Sequence, residues 1–177
     1  TNNPNYTYAY WKQKLTPTET LSGDHISNIN SYPPNSIIYV TGDLIIDSNQ
    51  TLNGVKKIIF LVEGKLDVIG NNAKIVRADK KSFLGFIVNK NITFGTSLSS
   101  ADDMTPVVNG FFLTDNQILI PATSTQFVGK GIFVAFGGFN FARDLGSATN
   151  ATNPAERFFF DPSLIINAPA DLMGSSY

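Results

Sequence analysis

A seven-residue frame recurs along this chain, and it limits the possible folds more than any other feature of the sequence. The frame consists of an apolar residue, three turn-prone residues, a second apolar residue, a variable residue and a third apolar residue. Each copy follows a run rich in β-forming residues, so each unit is predicted to be a strand, a tight corner and a second strand. Successive copies start 22, 26, 26, 21 and 25 residues apart, at Val40, Val62, Val88, Thr114, Ala135 and Phe160.

A step of this length holds about three short strands with their corners, and such a unit cannot bury its own apolar residues. Stacking the units at about 4.8 Å produces parallel sheets around one narrow core. We therefore predict an all-β fold, a single-stranded right-handed parallel β-helix of about six rungs over residues 31–170. The alternative is an antiparallel sandwich of many short strands, but its strands follow one another at about 8 to 12 residues.

Residues 1–30 differ in character and are predicted to form an N-terminal aromatic helical cap, while residues 171–177 form a C-terminal tail. A helix over residues 6–15 would place Tyr8, Trp11, Lys12 and Leu15 on one face and would end before Pro17. Because a stack of rungs exposes its core at each end, we expect this helix to cover one end. Alternatively, aromatic side chains of this segment form a platform that binds sugars; they are Tyr6, Tyr8, Tyr10 and Trp11.

Two long polar segments are predicted as loop insertions in the β-helix, at residues 95–109 and 144–156. Long loops on a rigid scaffold often carry binding residues, so we expect ligand contacts there, although simple solvated insertions remain an alternative. The first loop contains the adjacent acidic pair Asp102 and Asp103. Carboxylates bind Ca²⁺, but no calcium-loop motif accompanies this pair, so a solvated turn is the competing interpretation.

Composition excludes several classes of function. The chain has 13 basic and 14 acidic residues, and this balance gives no electrostatic surface for nucleic acid. It has no Cys and a single His, His25, so disulfides, thiol catalysis and a site with several His ligands are excluded within one chain. No apolar run approaches the roughly 18 residues that a membrane span needs. We expect no cofactor and no metal.

Two of the three arginines flank the second loop and neighbour its acidic residues. We predict a structural cluster of ion pairs that fixes the base of this loop, since a charge in apolar surroundings needs a partner. In it, Arg143 pairs with Glu156 or Asp144, and Arg157 pairs with Asp161. The rival interpretation is an active site built on Glu156 and Asp144.

The variable position of the frame is predicted to point outward, because alternate strand residues face opposite sides of a sheet. This outward row contains one carboxylate and no base, whereas a glycosidase needs two carboxylates within reach of the substrate. No Gly-x-Ser-x-Gly motif is present either. The row indicates a half-apolar contact surface, formed by Ile45, Asp67, Thr93, Leu119, Asn140 and Ile165.

The frames that begin at Val40 and Val62 resemble the V-x-G-x-L-x-I rungs of large bacterial cell-surface β-helix proteins. The closing segments, residues 141–145, 153–158 and 161–162, resemble those of uncharacterised surface proteins from very small, host-dependent bacteria. The resemblance covers about residues 36–166 and carries over no catalytic residue. It implies extracellular exposure and a structural or adhesive role.

We therefore expect a non-enzymatic extracellular module of a cell-surface protein. Its rigid surface would attach to a host or neighbouring cell through a glycan or a protein. One alternative is a β-helix that binds or degrades polysaccharides. A second is a filament subunit that associates through its terminal rungs, because the sequence after Ile166 is a weak cap.

Overall fold

The computed structural model describes residues 6–23, 25–70, 73–102 and 104–173, which form a β-solenoid of about five turns. Its helices are short: α1 (Tyr8–Lys14), α2 (Ser147–Asn150), α3 (Ser163–Ile166) and a 3-10 turn at Ile29–Ser31. In the described part of the chain, no helix has the length and apolar character needed to cross a membrane. The strands are β1 (Glu19–Leu21), β2 (Ser36–Val40), β3 (Leu44–Ile46), β4 (Asn49–Leu52), β5 (Lys57–Val62), β6 (Leu66–Val68), β7 (Lys74–Arg77), β8 (Phe83–Val88), β9 (Ile92–Phe94), β10 (Val108–Thr114), β11 (Ile118–Ile120), β12 (Phe127–Ala135), β13 (Phe139–Phe141) and β14 (Glu156–Phe160).

The strands form parallel sheets along the sides of the solenoid. The first sheet has the order β1-β2-β5-β8-β10-β12-β14, and the second has the order β3-β6-β9-β11-β13. On the third side β4 pairs with β7, and β7 pairs with the first residue of β10. The long strands β10 and β12 therefore join the third side to the first. This arrangement confirms the parallel β-solenoid predicted from the repeat.

The first position of the frame forms an aligned column across the first sheet. Val40 is opposite Val62, Val62 is opposite Val88, and Thr114 lies between Val88 and Ala135. Thr114 is compatible with this buried position because its hydroxyl donates to the Lys90 carbonyl and accepts from the Asn116 N–H. The frame thus predicts the register even where its first residue is not a large apolar one.

The third apolar position of the frame forms a second column inside the core. Ile46, Val68, Phe94 and Ile120 are all at most 1% exposed. In β3, β6, β9 and β11 the middle residue is more exposed than its two neighbours, as predicted for outward positions; these residues are Ile45, Asp67, Thr93 and Leu119.

The sixth copy of the frame does not form a further strand. After β14 the chain enters α3, so Ile165 lies in a helix and not in the outward row. The local cause is the sequence Asp161-Pro162-Ser163, because the Asp161 carboxylate accepts from both the N–H and the hydroxyl of Ser163. An Asp followed by Pro favours the start of a helix. The prediction of about six rungs is corrected to about five turns.

Helix α1 forms within the segment predicted for it, but it covers a side of the solenoid. Its buried residues Tyr8 and Trp11, together with Leu15, pack on the outer face of the first sheet. Over β5 and β8 the outer face is also mostly apolar, and both strands are buried along nearly their whole length. A sheet that is apolar on both faces must be covered on both. This second cluster contains Tyr8, Trp11, Leu15, Ile37, Ile59, Leu61, Phe83, Ile87, Leu113 and Leu164.

The N-terminal end of the core is closed by an additional, incomplete turn. In this turn β1 pairs with β2, and His25 forms a single bridge with Ile45. Ile26 and Ile29 are almost fully buried and belong to the main core cluster. The predicted cap at residues 1–30 therefore consists of a helix on the side and a turn at the end.

Both predicted loop insertions are partly integrated into the solenoid. In the first, Leu98 and Val107 are buried in the main core, and Val108 already begins β10. The second contains α2, and its last residue, Glu156, begins β14.

Candidate interaction site at the end of the solenoid

Phenylalanine rings form a stack through the core along the axis of the solenoid. The ring centroids of Phe60 and Phe86 are 5.1 Å apart, those of Phe86 and Phe112 are 5.4 Å apart, and those of Phe112 and Phe133 are 5.2 Å apart. Each of these pairs is nearly parallel, with interplanar angles between 6° and 11°. The stack follows from the repeat, because equivalent positions in successive turns are in register.

The stack reaches the C-terminal end of the solenoid and becomes exposed there. Phe158 packs edge-on against Phe133 at 4.9 Å and stacks on Phe141 at 5.2 Å. At this end Phe139 is 44% exposed, Phe141 47%, Phe158 36% and Phe160 62%. We call these four residues the terminal aromatic face. They border a shallow concavity of about 430 Å³, together with Gly131, Ile132, Phe133 and Phe159.

The backbone at this end also has an open edge. Within the described chain β13 pairs with β11 on one side, and residues 132–135 of β12 pair with β10 on one side. Unpaired strand edges beside exposed apolar side chains favour association with another chain. By contrast, the side chains around the closed N-terminal end are exposed and polar; they are Ser22, His25, Ser27, Asn28 and Ser31.

The lining of the concavity indicates which ligands suit it. Its eight residues are glycine, isoleucine and phenylalanine, which present no charged or hydrogen-bonding side chain. A sugar site requires polar groups that hydrogen-bond the hydroxyls. The concavity is therefore chemically suited to an apolar surface.

The aromatic residues predicted as a sugar platform are used mainly for packing. Tyr8 is 4% exposed and Trp11 is 7% exposed. Burial, followed by the proximity of Tyr39 and Glu63, raises the pKa of the Tyr8 hydroxyl. Tyr6 and Tyr10 remain beside Trp11, with the Tyr10 and Trp11 centroids 5.0 Å apart. Residues Tyr8, Tyr10 and Trp11 thus belong to the helix on the side of the solenoid and are not part of the terminal aromatic face.

Asp102 organises its own loop. Its carboxylate accepts from the N–H groups of Met104 and Thr105 and from the Thr105 hydroxyl, at 2.6–2.9 Å. The hydrogen bonds, led by that from Met104, lower its pKa. Asp103 lies outside the described residues. In the part of the chain that is described, no group of three or more His, Asp or Glu side chains is placed to hold a metal.

Arg143 is 6% exposed and connects the bases of the two loops. Its guanidinium donates to the Gly95 carbonyl and to both the carbonyl and the hydroxyl of Thr125, and it lies over the Phe127 ring. The Glu156 carboxylate accepts from the Arg143 backbone N–H at 2.7 Å. Burial lowers the pKa of Arg143, and the Glu156 charge opposes this change. The predicted contact with Glu156 is thus made by the backbone of Arg143.

The other members of the predicted cluster have different roles. Asp144 accepts from the Gly146 N–H and the Asn150 side chain, and so shapes the second loop. Arg157 lies in β14, opposite Val128. The ion pair that the structure gives to Asp161 is with Arg77, at 2.6 Å, and both side chains are at most 7% exposed. Arg77 is 84 residues away from Asp161 in the sequence, and no local pattern links the two residues.

The single histidine faces an aspartate. His25 Nδ1 and Asp47 Oδ2 are 2.9 Å apart, and both side chains are about half exposed. This pair lies at the closed N-terminal end, so it is separated from the terminal aromatic face by the length of the solenoid.

Comparison of the chain with protein-family models, with curated proteins and with solved structures finds no match.

Proposed function

We propose that this chain is a non-enzymatic structural module whose rigid β-solenoid presents the terminal aromatic face to a protein surface. We further propose that it works outside the cell, as an attachment segment of a cell-surface protein. The resemblance of the frames at Val40 and Val62 to surface-protein rungs supports this location.

The observation that carries the proposal is the terminal aromatic face with its open strand edge. Four phenylalanines are 36–62% exposed at one end of a core whose interior rings are fully buried; these interior rings are Phe60, Phe86, Phe94, Phe112 and Phe127. A continuous apolar patch of this kind is costly in water and marks interaction sites in soluble proteins. Backbone groups of β13 and β12 would add hydrogen bonds to a partner strand.

Rigidity supports the same role. Sheets of parallel strands in register extend along the length of the solenoid, and α1 packs on the outer face of the first sheet. At the start of this helix Asp115 accepts from the Tyr8 N–H, and farther along Lys12 donates to Tyr39 and Glu63. A solenoid braced in this way holds its end face in a fixed geometry, which lowers the entropy cost of binding.

Polysaccharide binding or degradation remains the second candidate. The feature that favours it is the His25 and Asp47 pair beside a concavity of about 260 Å³ at the N-terminal end, whose lining includes both polar and apolar side chains. Such a pair has the chemistry of a general base held in orientation by a carboxylate.

A binding panel tests the proposal. Polysaccharides and immobilised extracellular proteins, such as collagen and fibronectin, are incubated with the chain at low micromolar concentration. Binding and newly formed reducing ends are both measured. We expect binding to a protein that is weakened by Phe139→Asp. It should be unaffected by Val55→Asp, a control at another exposed apolar residue, which lies between β4 and β5.

Release of reducing ends would contradict the non-enzymatic role. Binding to polysaccharide alone, with loss in His25→Ala and no change in Phe139→Asp, would favour the second candidate. Folding of each variant is checked by its thermal melting curve.

A further inference from the structure

We propose that the terminal aromatic face binds the same face of a second copy of this chain, forming a closed end-to-end dimer with two-fold symmetry. This inference rests on the proposed function, because both assign binding to the same surface. It goes further by naming the occupant.

The path of the chain after β14 leaves this face uncovered. From α3 onward the chain runs back along the outer face of the first sheet, where Leu164 is buried in the second cluster and Ala168 and Leu172 pack against it. Lys57 in β5 donates to the Ala168 carbonyl, and residues 169–171 line a concavity with Ser36 and Ile37 of β2. The last described part of the chain is thus directed away from the terminal aromatic face.

The residues outside the described ends are mostly polar in sequence. Residues 1–5 read Thr-Asn-Asn-Pro-Asn, and residues 174–177 read Gly-Ser-Ser-Tyr. A second copy supplies an apolar surface of matching size and chemistry.

The area of the face matches the requirement of a weak dimer. At roughly 200 Å² for each phenylalanine side chain, the exposed fractions of the four residues amount to roughly 400 Å². Two copies would then bury about 800 Å² from these rings alone. The partly exposed Ile132, Phe133 and Phe159 raise the total toward the roughly 1,000 Å² of a specific interface.

The two ends of the solenoid differ, and this difference favours a closed dimer over a filament. A filament needs the C-terminal end of one copy to meet the N-terminal end of the next. At the N-terminal end, however, Ile26 and Ile29 are buried and the exposed side chains around them are polar. Meeting that end would desolvate polar groups against phenylalanines, whereas two aromatic faces are complementary. A two-fold axis perpendicular to β13 also places β13 antiparallel to β13 of the second copy. The two edge strands could then form antiparallel backbone hydrogen bonds.

Sedimentation equilibrium over about 1 µM to about 1 mM tests the inference, since weak interfaces dissociate within this range. We expect the mass to rise with concentration from 19.3 kDa to twice that value and no further. Phe160→Asp should raise the dissociation constant about tenfold or more, because a carboxylate would be buried without a partner. Phe139→Asp, on a different strand, serves as a second variant, and Val55→Asp is the matched control with an unchanged dissociation constant.

Three outcomes would overturn the inference: a monomer at every concentration, assemblies that grow beyond two copies, or a dimer unaffected by both phenylalanine variants that retain the parent melting curve. The fate of the proposed function is separate. A monomer that still binds a protein through Phe139 would refute the dimer alone, whereas a dimer that releases reducing ends would refute the non-enzymatic role alone.

Discussion

At the scale of single residues, the ion pair between Arg77 and Asp161 ties the C-terminal helix to the solenoid. Arg77 ends β7 and also donates to the Asn109 side chain and the Ser82 carbonyl. Asp161 accepts from Arg77, Asn109 and Ser163. Because both charges are buried, their hydrogen bonds must offset a large desolvation cost. The pair joins the residue that follows β14 to the end of β7.

Removing one partner of this pair should be strongly destabilising. Asp161→Ala leaves the Arg77 guanidinium buried without its counter-charge, and we expect a loss of about 3–5 kcal/mol in the free energy of unfolding. Urea denaturation measures it. In the control Glu63→Gln, the altered carboxylate belongs to the exposed Lys12–Glu63 pair, so the urea midpoint should change little. Equal shifts for both variants would contradict the structural role of the buried pair.

The same carboxylate predicts a pH dependence of stability. Burial opposes its ionisation, but hydrogen bonds from Ser163 and Asn109 and the charge of Arg77 outweigh burial, and the pKa of Asp161 falls below its usual range. A lowered pKa in the folded state contributes stability that is fully present above the ordinary Asp value of about 3.9 and is lost as pH falls through the lowered value.

We therefore expect the urea midpoint to fall below about pH 4. The part of this fall in the urea midpoint that comes from Asp161 should be absent in the double variant Arg77→Met with Asp161→Leu, which replaces the pair with apolar side chains. Parallel pH profiles for the two proteins would assign the decline to other carboxylates.

Partners of single side chains were the least predictable part of the molecule. The Arg143 backbone N–H donates to Glu156, but its guanidinium donates to the Gly95 carbonyl in the first loop and to the Thr125 carbonyl between β11 and β12. For Asp161 the sequence suggested Arg157, a near neighbour, whereas Arg77 is three turns of the chain earlier. Stacking of the turns brings together residues that are far apart in the sequence, and no local sequence pattern indicates which residues will meet.

At the scale of elements, the corners of successive turns are packed backbone on backbone. A Cβ added at Gly64 would lie 2.6 Å from the Asp43 nitrogen and 2.7 Å from the Gly42 carbonyl carbon. A Cβ at Gly42 would meet its nearest neighbour, the Gly23 Cα, at 3.3 Å. Glycine at these corners therefore allows adjacent turns to approach.

These distances predict different costs for the same substitution at the two corners. Gly64→Ala forces backbone apart and should reduce the free energy of unfolding by about 1–3 kcal/mol, the range for overpacked sites. Gly42→Ala requires a small displacement and should cost less. Urea denaturation of both variants provides the comparison. If Gly42→Ala cost as much free energy of unfolding as Gly64→Ala, or more, the corner at Gly64 would not be packed closely against the backbone of the preceding turn.

The elements were largely predictable because the frame fixes both strand position and register. Five copies form the expected pair of strands, and the sixth fails where Asp161 and Pro162 favour a helix. The first, incomplete turn was missed, although Leu21-Ser22-Gly23-Asp24 matches Val40-Thr41-Gly42-Asp43 residue type by residue type. The position of α1 was also missed. The unbroken apolar runs of β5 and β8 are the signal that the outer face needs a cover.

At the scale of the whole molecule, the solenoid is a one-dimensional stack in which each turn is stabilised by its two neighbours. An interior ring such as Phe86 has neighbours on both sides, at 5.1 and 5.4 Å. A ring at the end, such as Phe158, contacts the preceding turn and faces solvent on the other side. Because rings at the end have a neighbouring turn on one side only, they are available for binding. For the same reason they contribute less to the free energy of unfolding than interior rings do.

This asymmetry predicts a gradient of mutational cost along the axis. Phe86→Ala, in the middle of the stack, should reduce the free energy of unfolding by about 3–5 kcal/mol, as for fully buried phenylalanines. Phe158→Ala should cost distinctly less, because 36% of its surface is already in contact with water. Both values are obtained by urea denaturation at about 1 µM, at the dilute end of the range in which a weak dimer dissociates. If Phe158→Ala were as costly as Phe86→Ala under these conditions, the end of the solenoid would have to be covered in the monomer. The open face on which both proposals rest would then not exist in solution.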